Sequence, residues 1–229
     1  MLTDPSVFDE GWVPADLHAR DTETTTLSST LRPLTHGHSP NPVLLAGPPG
    51  TGKTTTSRYV LDDFQTHTAA STIYVDAWTH HRPYQLAGEL LTQFDAPGLV
   101  QPQTPRTVLR ERIREHAPTP LVIVLDEADQ LDDLDVVENL DAMDGVGVVL
   151  IVNDETRFVQ RYQRETTGGD LASTISYDAY GVDTLVEILR PRARGGLETG
   201  GYRGPRLEEL ARHAEGNARV AIQGLRAAA

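Results

Sequence analysis

The chain has 229 residues, enough for one large α/β domain with a small appended lid. It contains no cysteine, which excludes disulfides, thiolate metal sites and cysteine nucleophiles. Its 33 acidic residues against 20 basic ones give a net charge of −13, and no apolar run approaches the ~20 residues that cross a bilayer.

Lys53 is the only lysine; every other basic residue is arginine. An acidic, lysine-poor composition suits a chain adapted to high salt, where carboxylates keep the surface hydrated. A generic acidic protein from a GC-rich genome is the plainer alternative. Net negative charge argues against nucleic-acid binding, and a high-salt setting weakens that argument. The opening MLTDPSVFDEGW has neither a basic nor an apolar leader region, so a soluble, cytoplasmic protein with no membrane partner is expected.

In chain order, residues 1–40 read as irregular and then helical, with Leu27, Leu31 and Leu34 at helical spacing. Val43–Ala46 is a short apolar strand. Gly47–Gly52 is a glycine-rich turn, and a helix runs from Lys53 to about Gln65. Ser71–Ala77 is a second strand, followed by helices over Pro83–Phe94 and Thr104–His116. Leu121–Leu125 and Val146–Val152 are buried parallel strands, with a helix over Leu134–Met143 between them. A helix over Glu155–Arg164, a strand over Ser173–Tyr177 and a helix over Asp183–Arg194 follow. After the loop GGLETGGYRG, the last helices are Pro205–Glu215 and Asn217–Ala228. Strands alternating with helices predict a parallel sheet covered on both faces. The purely helical pattern after Tyr180 predicts a core over 1–179 and a helical lid over 180–229.

The sequence GPPGTGKT fits the G-x-x-x-x-G-K-[ST] pattern between a strand and a helix. Such a loop turns backbone N–H groups onto phosphate oxygens, and the helix N-terminus adds its dipole. Gly47, Pro48, Pro49, Gly50, Thr51, Gly52, Lys53, Thr54 and Thr55 are the expected ATP-binding segment. Lys53 would reach the β- and γ-phosphates, and Thr54 would offer its hydroxyl to Mg²⁺. The strand LVIVL runs into Asp126 and Glu127. Asp126 would complete the Mg²⁺ shell, and Glu127 would orient the attacking water. Solvated acids at a strand end are the plain alternative. Asn153 ends the strand VGVVLIV and could contact the γ-phosphate or the water; a turn-forming Asn is the alternative. In EGNARVAIQGLRAA, Gly216 and Asn217 could cap the last helix. Arg219 would lie in its first turn, unfavourable for a cation unless it faces an anion such as ATP phosphate.

GPPGTGKT, then LDEAD, a strand-end Asn and GNAR in a lid resembles the AAA+ ATPases, and within them the archaeal Orc1/Cdc6 replication initiators, especially those of haloarchaea. VFDEGWVPADLHARDTE resembles the family's segment before its first helix, which implies that the backbone near Val13 and Pro14 flanks adenine. ISYDAYGVDTLVEILRPRA resembles its link into the lid. The resemblance implies that Asn153 is sensor 1 and Arg219 is sensor 2, and that ATP hydrolysis serves replication initiation or its regulation. Three departures stand out. Family members continue into a winged-helix domain beyond the point where this chain stops, the segment between the second strand and LDEAD is short, and RFVQRYQRETTGGDLAS lacks the usual arginine-finger run. Arg164, then Arg161, are the finger candidates.

Three function classes remain open. The first is an ATPase of this family, with DNA a weak partner on its own. The second is an ATP-binding module with little turnover that associates with a full-length initiator or with itself. The third is a small-molecule P-loop kinase, which rarely carries LDEAD, a strand-end Asn and GNAR together. His80, His81 and Arg82 with Trp78 and Tyr84 form a basic-aromatic cluster that could touch DNA or be an ordinary loop.

Overall fold

The computed structural model describes residues 2–9, 11–14, 17–98, 100–167, 171, 173–198, 202 and 204–228. Among these, five strands form one sheet in the order β2–β3–β4–β1–β5, with every neighbouring pair parallel. The strands are β1 (Val43–Ala46), β2 (Ser71–Asp76), β3 (Leu121–Asp126), β4 (Val146–Val152) and β5 (Ser173–Ser176). The helices are α1 (Asp21–Leu31), α2 (Lys53–His67), α3 (Pro83–Gln93), α4 (Arg106–His116), α5 (Asp135–Asp141), α6 (Glu155–Glu165), α7 (Val182–Gly196), α8 (Gly204–His213) and α9 (Ala218–Ala227). This is the α/β P-loop architecture that the alternating pattern predicts.

Register decides what the sheet presents. Ala46 pairs with Val152 and with Ser176, Asp76 pairs with Asp126, and Leu125 pairs with Leu150. Because all strands run the same way, their C-terminal ends share one edge. β3 and β4 are buried along their apolar lengths, as β-branched runs covered on both faces must be.

The described residues gather into two compact units. One comprises Thr25–Ala46 and Val60–Ser176 and contains the sheet. Its core joins Leu44, Ile73, Leu90, Ile123, Leu150 and Phe158, and the Phe158 ring stacks on Tyr162 at 6.1 Å. The other comprises Met1–Thr24, Gly47–Tyr59 and Tyr177–Ala229. Its core joins Leu185, Leu189, Leu207, Ala221 and Leu225 of α7, α8 and α9 with Val7 and Phe8.

Val7 and Phe8 belong to a 3₁₀ turn, Pro5–Phe8, in the stretch that reads as irregular. Asp4 caps it by accepting the Ser6 N–H at 2.9 Å, and Pro5 supplies a preset φ at its start. The Phe8 ring lies so close to Gly196 that a Cβ there would collide with it. Arg192 of α7 is 6% exposed, donates to the Val7 carbonyl and sits 4.3 Å from the Trp12 ring centroid. Burial brings its pKa down to about 10, so it stays protonated at neutral pH.

Other boundaries shift for local reasons. α1 stops at Leu31 and Arg32–His36 tightens to 3₁₀, closed by Gly37 at φ +75°. β3 includes Asp126, because its carbonyl accepts the Ala77 N–H at 2.8 Å. α7 takes in Gly195 and Gly196 from the predicted loop; residues 199–201 and 203 of that loop lie outside the described residues. So do 168–170 and 172 of the predicted arginine-finger segment, and residues 10, 15 and 16 of the segment before α1.

Candidate nucleotide site

The glycine-rich loop leaves the end of β1 and closes on the first turn of α2. Gly50 has φ +75°, a left-handed value that a side chain would strain. A Cβ on Gly47 would collide with the Tyr177 carbonyl oxygen, so the close approach there also requires glycine. Lys53 is 6% exposed, and its ammonium donates to the carbonyls of Gly47 at 2.6 Å and Pro48 at 2.9 Å. The Thr51 hydroxyl donates to Pro48 O at 2.8 Å. Thr54 and Thr55 are half-buried in the first turn of α2.

α9 meets this loop directly. The Ala218 N–H donates to Gly50 O at 2.9 Å, and the Tyr180 N–H donates to Gly216 O at 3.0 Å. Asn217 is the N-cap, accepting the Val220 N–H at 3.1 Å. Arg219 is therefore in the first turn of α9, exposed, one residue from the amide that holds Gly50. Val13 and Pro14 are half-buried in the same unit.

Arg20 carries a role that sequence reasoning missed. It is buried and donates to Thr51 O, Asp178 O, Tyr180 Oη and Glu23. Burial pushes the Tyr180 hydroxyl above its usual range, and the guanidinium opposes that shift. Tyr177 is raised more strongly, also by burial, with the Thr56 hydroxyl acting the other way. The signal in sequence was slight: one cation in LHARDTE, with no periodicity to mark it as buried.

In the other unit, the edge formed by the C-terminal strand ends carries Asp126, Glu127 and Asn153. The Tyr74 hydroxyl of β2 donates to Asp126 Oδ2. The Glu127 N–H donates to Asp126 Oδ1 at 3.0 Å, so one carboxylate is gripped at both oxygens. Glu127 has φ +54° and ψ 41°, a left-handed conformation rare for a non-glycine residue. A 3₁₀ turn, Ala128–Gln130, follows at once. Asn153 is exposed, one residue beyond β4, and Asp154 caps α6 by accepting the Arg157 N–H at 2.9 Å. Thus Gly47–Thr55, Val13, Pro14 and Arg219 fall in one unit, and Asp126, Glu127 and Asn153 in the other.

On α6, Arg161 is tied to Glu165 at 2.9 Å and to the Asp129 carbonyl at 3.2 Å, whereas Arg164 is exposed, with its Nε donating to Gln160 O at 3.2 Å. In the loop after β2, Trp78 is 66% exposed, and His81 lies 3.2 Å from Asp132. Among the described residues, no helix is long and apolar enough to cross a membrane.

A parallel sheet with a phosphate-type loop after β1 and paired acids at the end of β3 defines a P-loop protein of the AAA class, and the comparisons agree. The family model described as "AAA domain" matches residues 36–160. ORC1-type DNA replication protein 1 of Halobacterium salinarum is 33% identical over 99% of this chain and 74% of its own length. ORC1-type DNA replication protein 9 of the same organism is 31% identical over 100% of this chain and 66% of its own. The Aeropyrum pernix ORC1 protein, solved in complex with DNA, superposes with a TM-score of 0.83 at 26% identity, over 98% of this chain and 63% of that one. The chain belongs to the family of ORC1-type DNA replication proteins, within the AAA-domain proteins, and spans about two-thirds of the length of these relatives.

Proposed function

We propose that the chain binds ATP with Mg²⁺ and hydrolyses it, and that the nucleotide state governs its engagement in replication initiation. The observation that carries this is the loop Gly47–Gly52, which admits glycine alone at Gly47 and Gly50 and has the chain's single lysine buried against its carbonyls. Phosphate oxygens would draw the Lys53 ammonium from the Gly47 and Pro48 carbonyls, since a phosphate oxygen offers a full opposite charge where a carbonyl offers only a dipole. Among the described residues no group of three or more His, Asp or Glu could hold a metal by itself. A magnesium ion does not need one: Thr54 and Asp126 would hold it with phosphate oxygens and water, and it would neutralise charge on the β- and γ-phosphates.

The Tyr74 hydroxyl and the Glu127 N–H each hold one oxygen of Asp126, which limits the rotation of its carboxylate and supports that role. The Glu127 carboxylate would orient a water and take its proton as the oxygen bonds to the γ-phosphorus and the bond to the ADP oxygen breaks. Asn153 would hold the water or the γ-phosphate, and Arg219 would neutralise developing charge from the lid. Val13 and Pro14 would flank the adenine.

Turnover tests this reading. Glu127→Gln is expected to retain ATP binding and lose turnover by about 100-fold or more. Unchanged turnover would remove Glu127 from the reaction. A second reading, a nucleotide-binding partner of a full-length ORC1-type protein with little turnover of its own, is favoured by the ties of Arg161 to Glu165 and the Asp129 carbonyl. Turnover that is negligible alone and rises on adding such a protein would select it.

A further inference from the structure

Arg20 precedes α1 in a polar stretch, yet it is 6% exposed. A buried guanidinium is costly unless its donors are matched, and here each of its three nitrogens has an acceptor. NH1 donates to Glu23 at 2.5 Å; NH2 donates to Thr51 O at 2.8 Å and Asp178 O at 2.7 Å; Nε donates to Thr51 O and Tyr180 Oη, both at 3.1 Å. Its plane also lies against two rings, 4.2 Å from the Tyr180 centroid and 5.1 Å from that of Tyr177. Only the planar fork of arginine can reach all of these at once.

The important acceptor is Thr51 O, inside the glycine-rich loop. In a trans peptide the C=O and the following N–H point to opposite sides. With Thr51 O held by Arg20, the Gly52 N–H is turned away from Arg20. The preceding peptide is treated likewise: Gly50 O accepts the Ala218 N–H, which turns the Thr51 N–H to the opposite side. Two consecutive peptide planes are thus fixed by donors from the N-terminal segment and from α9. A loop that binds phosphate needs consecutive N–H groups already converging, because ordering them on binding weakens affinity. Tyr180 adds a wall, since a Cβ on Gly52 would collide with its hydroxyl.

We propose that Arg20 is a positioning residue that presets the Thr51–Gly52 peptide for phosphate, with Tyr180 as its orienting partner. The inference rests on the nucleotide reading above. The test is equilibrium binding of ATP, ADP and AMP to the full chain, with melting temperatures taken in nucleotide-free buffer. Arg20→Lys keeps the charge without the fork and is expected to weaken ATP and ADP by about tenfold or more, and AMP by less. Arg20→Ala is expected to lose at least as much and to recover part of it in millimolar guanidinium, which refills the donor site. Tyr180→Phe, which keeps the ring, is expected to give a smaller loss in the same order of ligands. ATP binding by Arg20→Lys equal to that of the unaltered chain overturns the proposal. So does an equal loss for all three nucleotides that tracks the fall in melting temperature and ignores guanidinium. If the unaltered chain binds no ATP, the nucleotide reading fails and this inference falls with it. If the unaltered chain binds and Lys53→Ala weakens binding while the Arg20 variants bind normally, only the role of Arg20 is lost.

Discussion

Glu127 shows how much one position is asked to do. Its left-handed backbone would suit glycine better, yet the residue keeps a carboxylate directly after Asp126. Glu127→Gly is expected to raise stability by up to about 1 kcal/mol, since glycine meets no Cβ penalty there. The same change should eliminate turnover. Chemical denaturation paired with an ATPase assay checks both, and a destabilised variant would show that the side chain, not the backbone, dominates. Tyr74 makes a companion case. Tyr74→Phe removes the hydroxyl that donates to Asp126. It is expected to raise the Mg²⁺ midpoint of ATP binding by a few-fold, part of the ~1.5–3 kcal/mol that one hydrogen bond to a charged group contributes. Magnesium titrations at fixed ATP would read the shift, and an unmoved midpoint would show that Asp126 needs no such support.

Among the elements, the strands were the most legible. β1 and β4 begin and end where their apolar runs do, because a strand covered on both faces leaves its pattern in consecutive residues. The glycine-rich loop was legible for a different reason: its residue types are dictated by φ and by close approach. The 3₁₀ turn Pro5–Phe8 was not, because four residues carry no period and its purpose lies in distant partners on α7 and α9. Arg20 was hidden likewise, its meaning residing in carbonyls more than thirty and one hundred and fifty residues away. The left-handed backbone at Glu127 also leaves no mark in residue type. Phe8→Ala should destabilise the unit containing α7, α8 and α9 by about 3–5 kcal/mol, the range for a buried aromatic. Hydrogen exchange resolved by peptide would place the loss in α7 to α9. Protection that falls equally over β3 and β4 would show that the units do not unfold separately.

At the scale of the whole molecule, the net charge of −13 and the lone lysine set the solution behaviour. Self-repulsion among carboxylates should be relieved by salt, so the melting temperature is expected to rise as KCl goes from about 0.1 M to about 2 M, where the Debye length falls from ~10 Å to a few Å. A melting temperature that falls across that range would contradict adaptation to high salt. Every role proposed for this chain depends on Gly47–Thr55 binding nucleotide. Calorimetric titration of ATP with Mg²⁺ into the chain tests it most directly. Saturable binding with one site per chain is expected, with a loss of about 10- to 100-fold in affinity for Lys53→Ala, the cost of removing a charge-assisted contact to phosphate. Absence of saturable binding, or binding that Lys53→Ala leaves intact, would contradict it.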